Sequence, residues 1–182
     1  MMTLFVPPGF VLENAVVEVY PDSAMPNAFP VTGVVPISQM VGDEEEETRL
    51  LRELSEEART YLSSFPWCKA ITDLYFGDGI GGIIGIFFAH IEPTQPDIDE
   101  WLWVIVGDLP PAYLVTDLCC TPKQAAEGYI EEMRKWVAAA KAGRTSEEII
   151  PVNVPATPEW ATALEKRLDT LEFEVLPKWF SG

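Results

Sequence analysis

One histidine, three cysteines and twelve lysines and arginines are spread through 182 residues, and each scarcity removes a class of chemistry. With His90 as the single imidazole, neither a two-histidine metal site nor more than one histidine-based triad can be built. Cys68 and the adjacent pair Cys119 and Cys120 make no disulfide framework, and an odd count suits a reducing compartment. Together with His90 they have the right number for a Cys₃His zinc site. None of the usual C-x₂₋₄-C spacing is present, however, and neighbouring thiols do not easily take two corners of a tetrahedron. No metal and no cofactor is expected.

Positive charge is the next shortage. Twenty-nine acids against twelve bases leave −17 at neutral pH. Residues 1 to 117 carry 19 acids and 4 bases, and no Lys or Arg lies between Lys69 and Lys123, where Asp73, Asp78, Glu92, Asp97, Asp99, Glu100, Asp108 and Asp117 stand. Nucleic acid is an unsuitable partner, because phosphate binding needs clustered cations. The start, MMTLFVPPGF, lacks a basic segment, and Pro7 and Pro8 cut its apolar run, so no signal peptide is expected. The apolar runs are too short and too broken by Pro and Asp to span a membrane. A soluble cytoplasmic protein without internal repeats is the expectation.

What is present is an ordinary globular composition, 48% apolar and 23% charged, in a chain of single-domain length. The densest apolar stretch runs from Gly82 to Asp117. Within it, Ile83 to Ile91 and Trp101 to Val106 are β-branched and aromatic and are bounded by Gly, Pro and Asp, which predicts buried strands. A strand from about Lys69 to Phe76 precedes them and a fourth, Ala112 to Thr116, follows; the short connections make an antiparallel meander. Residues 1 to 42 hold six of the sixteen prolines and read as an arm with possible edge strands at Ala15 to Tyr20 and Val31 to Val35.

Three helices are predicted. The first begins in the acidic run at Asp43, carries Leu50, Leu51, Leu54, Ala58, Tyr61 and Leu62 at helical spacing, and stops at Pro66. Its acidic first turn is ordinary helix chemistry, since negative charge is favoured at that end. The second starts at Thr121, Pro122 and Gln124, a capping box, and stops at Gly143; the third runs from Thr157 and Pro158 to Pro177. The sequence therefore predicts a proline-rich arm, 1 to 42, and one α+β domain, 43 to 182, a mostly antiparallel sheet of four or more strands with helices packed on one face.

Chemistry is less legible. Gly77 to Gly82 satisfies G-x-G-x-x-G after a strand, with Asp108 at the end of the next one, as in a dinucleotide site. Such a site needs a helix after the glycines, and IIGIFFAHI has no polar face, so a glycine-rich hairpin turn is the simpler reading. Cys120, just before a helix start, is a conceivable reactive thiol beside the simpler reading of a packed strand end. Asp97, Asp99 and Glu100 share one loop but lack the glycine and twelve-residue frame of an EF-hand. Trp101 and Trp103 alternate with Leu102 and Val104, so both indoles point to one face, either into a core or onto an aromatic platform. The function expected is a protein–protein interaction module that receives a basic partner, such as a toxin, at Asp97, Asp99, Glu100, Trp101 and Asp108. The alternative is a small-molecule or nucleotide-binding enzyme that uses the glycine turn.

Overall fold

The computed structural model describes residues 31–116, 119–144, 150 and 152–179. The candidate strand at Ala15 to Tyr20 lies outside them. Five strands, β1 (Val35–Pro36), β2 (Cys68–Ile80), β3 (Ile84–Pro93), β4 (Trp101–Gly107) and β5 (Ala112–Val115), form one sheet in chain order, every neighbour antiparallel. The α+β class and the meander are as the sequence predicts. β1 is a two-residue edge strand that pairs with Tyr75 and Phe76, a position where Pro36 removes no ladder bond from a central strand.

The helices α1 (Glu45–Ser63), α2 (Pro122–Lys141) and α3 (Pro158–Thr170) occupy both faces of the sheet, where the sequence reading placed them on one. Leu51, Leu54, Ala58 and Leu62 of α1 pack with Phe87, Ala89, Ile91, Leu102, Val104 and Val106. On the opposite face α2, backed by α3, covers Ile84, Ile86, Phe88, Trp103 and Ile105. The cause is visible in β3 and β4, whose alternating side chains are apolar on both sides. A strand without a polar face must be covered twice.

Local chemistry sets the helix ends. Glu47 and Thr48 of α1 reach back to accept from the amides of Asp43 and Gly42 at 2.8 and 2.9 Å, which ties the chain ahead of the helix to its first turn. Thr121 accepts from the Gln124 amide at 3.2 Å, and the Gln124 side chain accepts from the Cys120 amide at 2.8 Å. α2 ends at Gly143, with φ +62°, in a Schellman arrangement closed by the Arg144 amide on the Ala139 carbonyl at 2.9 Å. The third helix does not stop at Pro177. A π turn, Leu171–Val175, leads into a short α4 (Leu176–Trp179). The wider turn shifts the bonding register just where Pro177 brings no N–H.

The glycine turn is a hairpin. Residues 81–83 connect β2 to β3, Gly82 takes φ +74°, and the residues after the glycines are strand. Gly79 is required by space: a Cβ there would lie 2.7 Å from the Ile84 carbonyl oxygen and 3.1 Å from Leu51 of α1. Gly79→Ala is therefore expected to cost about 1–3 kcal/mol, read from the urea midpoint. Titration calorimetry with NAD or FAD should show no saturable binding that this substitution removes.

Candidate functional site

Asp97, Asp99 and Glu100 are placed by a buried residue between them. The loop 94–100 joins β3 to β4, and Ile98, 4% exposed, is tucked into the α1-side core. Its neighbours on either side are thereby turned to solvent, and Asp97, Asp99 and Glu100 are all exposed. Backbone bonds hold both ends of the loop: the Thr94 amide donates to the Trp67 carbonyl at 2.9 Å, and the Ile91 amide to the Glu100 carbonyl at 2.8 Å.

Trp101 and Trp103 do share a sheet face, with different fates. Trp103 is wholly buried beneath α2, and its indole N–H donates to the Cys119 carbonyl at 2.6 Å. Trp101 is half-buried at the end of the sheet and stacks on Phe88 at 5.0 Å and on His90 at 4.2 Å, with ring planes 11° and 13° apart. Tyr75 lies 6.3 Å from the same indole.

His90 is the centre of a group that the sequence did not single out. The β2–β3 register sets Asp73 opposite it, and the β3–β4 register sets Trp101 opposite it on the other side. Its Nδ1 lies 2.8 Å from Thr72 Oγ1 and 3.6 Å from Asp73 Oδ2, and its Nε2 lies 3.8 Å from Glu100 Oε2. Thr72 Oγ1 also donates to the His90 carbonyl at 3.0 Å. A further step along the same strands, Lys69 pairs with Glu92. The loop acids, Trp101 and this histidine make one half-buried aromatic end rimmed by carboxylates.

Asp108 is not part of it. It follows β4 at the opposite end of the sheet, about 20 Å from Trp101 at the usual strand rise. There its carboxylate meets Arg167 of α3 at 3.3 Å, and the Arg167 guanidinium also donates to the Asp108 carbonyl at 2.7 Å.

The thiols stay apart from this end and from each other. Cys68 belongs to the α1-side core and Cys119 to the α2-side core, and burial pushes both thiols up from the ordinary range. Cys120 is exposed. Among the described residues no group of three or more His, Cys, Asp or Glu is placed to hold a metal ion. A groove lined by Glu45, Glu46, Thr48, Arg49 and Arg52 lies along the first turns of α1, but Arg49 is engaged there by Glu46 and Glu53.

Asp78, in the hairpin, is a half-buried carboxylate. Desolvation pushes its pKa up, partly offset by the Gly79 amide, which donates to it at 2.8 Å. A carboxyl whose folded pKa is raised stabilises the fold while protonated, and that contribution is lost as pH rises through the folded value. Asp78→Asn keeps an acceptor for the Gly79 amide. It should raise Tm relative to the parent at about pH 7, and the gain should vanish near about pH 3, where both carry a neutral side chain.

Comparison of the chain with models of protein families, with curated proteins and with solved structures finds no match. No described helix is long and apolar enough to cross a membrane.

Proposed function

We propose that the protein is an interaction module whose acidic sheet end, formed by Asp97, Asp99, Glu100 and Trp101 with Asp73 and His90, receives a basic protein partner in the cytoplasm. The observation that carries this reading is the placement of exposed acid beside an aromatic sheet end: Asp97, Asp99 and Glu100 are exposed on the loop that leads into Trp101, which stacks on Phe88 and His90. Arg134 pairs with Asp169 and Glu172, Lys135 with Glu131 and Glu132, and Lys141 with Glu165, all within the helical layer, while Arg167 meets Asp108 at the far end and Lys69 pairs with Glu92 beside the patch. Exposed acids beside an aromatic surface are a composition suited to steering and then holding a cationic chain. Asp108 belongs to the wider acidic field and not to the contact.

The alternative, an enzyme built on Gly77 to Gly82, lacks a helix amino terminus after the glycines, because Ile84–Pro93 is strand. The test is kinetic. Partners retained from native lysate at low salt should associate with the purified protein at a rate that falls as ionic strength rises, since exposed charges are screened beyond about 8 Å at physiological salt. A physiological partner whose association rate ignores salt would overturn the proposal.

A further inference from the structure

We infer that His90 is a proton-operated clamp on the acidic loop, so that the carboxylate patch is held and partly neutralised when the ring is protonated and released when it is neutral. The inference rests on the partner reading only for its biological consequence. The device itself follows from the placement of the ring between two carboxylates.

Thr72 Oγ1 lies 2.8 Å from Nδ1 and 3.0 Å from the His90 carbonyl oxygen, which fixes the ring against β2. A carboxylate stands beside each ring nitrogen: Asp73 Oδ2 lies 3.6 Å from Nδ1 and Glu100 Oε2 lies 3.8 Å from Nε2. A neutral imidazole carries one N–H and can serve only one of the two.

A second ring proton changes that relation. Both nitrogens become donors, the ring becomes a cation between Asp73 and Glu100, and its stacking on the Trp101 indole gains a cation–π contribution. Histidine is the side chain that ordinarily changes charge between about pH 5 and 8. Farther along β2 and β3, Lys69 and Glu92 pair with each other. Because Glu100 is both the last residue of the loop and the acceptor of the Ile91 amide at 2.8 Å, a bond from Nε2 fastens the loop end to β3. A protonated ring also competes with a partner's Lys or Arg for the same two carboxylates.

The experiment uses the whole chain with no partner, so its failure is distinct from failure of the binding proposal. His90 is the only histidine, and its ring resonances give one unambiguous titration by NMR. The expected result is that the amides of Asp97, Asp99 and Glu100 shift with the same midpoint as the ring. Hydrogen exchange at the Ile91 amide, corrected for intrinsic pH dependence, should slow roughly two- to fivefold on the acid side, the size of a part-exposed ion pair. In Glu100→Gln the His90 ring should still titrate while the change in Ile91 protection is lost. In His90→Gln the loop should show no transition in this range. Loop resonances that ignore the His90 midpoint, or an Ile91 protection change that persists in both variants, would overturn the inference.

Discussion

Trp103→Ala is expected to lower folding stability by about 3–5 kcal/mol, enough to remove much of the total stability of an ordinary domain. Trp103 is 0% exposed, sits 4.9 Å from Phe88 by ring centroids, and lies where β4 meets α2. Truncation removes its contacts and leaves a cavity that the antiparallel neighbours on both sides cannot close. It also strands the Cys119 carbonyl, whose partner is the indole N–H at 2.6 Å. Trp103→Phe separates the two effects: the apolar volume is largely kept, and the lost hydrogen bond alone should cost about 1–3 kcal/mol. Trp101→Ala, two residues away on the same face, removes a half-buried ring and should cost clearly less than Trp103→Ala. Urea unfolding of the three variants measures the order. Equal losses at Trp101 and Trp103 would contradict the division of the two indoles into rim and core.

That division marks the limit of what the sequence alone could say. Alternation along Trp101 to Val106 determines that both indoles share a face, because side chains repeat every two residues in a strand. Which of them a helix covers depends on where α2 crosses the sheet, and no local pattern carries that. The four strands of the meander from β2 to β5, the Thr121 cap and the stop at Gly143 were legible because each depends on neighbours a few residues apart. Two-sided coverage of the sheet was written in IIGIFFAHI, whose missing polar face argues against a dinucleotide helix and equally against an uncovered sheet face.

The His90 group was hidden for a different reason. Folding β2 onto β3 from the turn with unbroken pairing would set Leu74, not Asp73, opposite His90. A register shift between Phe76 and Asp78 moves the pairing by one residue, so Asp73 takes that place and Leu74 falls opposite Ala89. A one-residue bulge of this kind changes which side chains meet and leaves composition and periodicity almost untouched. A lone histidine at the end of an apolar strand gives no sign of it. Asp108 shows the converse: it shares the base-free acidic stretch with Trp101, whereas the extended strand between them sets the two at opposite ends of the sheet.

Replacing Asp97, Asp99 and Glu100 together, as Asp97→Asn, Asp99→Asn and Glu100→Gln, is expected to slow association with a basic partner at low salt by roughly tenfold or more. The three side chains are exposed, so the change removes three charges without removing packing, and the urea midpoint should move little. Ile98, which fixes the loop from beneath, is left in place. The loss should appear mainly in the association rate, because charge outside the buried contact acts during approach, and it should shrink as salt rises and screens the parent protein as well. Asp108→Asn serves as the control. It removes one carboxylate from the same acidic half, but at the far end of the sheet and from a pair with Arg167, so its effect on the rate should be several times smaller. Stopped-flow association at two ionic strengths distinguishes the cases. If the triple variant and Asp108→Asn slow the rate equally, the partner responds to net charge alone and the sheet end is not its landing site. If neither changes the rate, the excess of acid serves solubility and the interaction proposal fails.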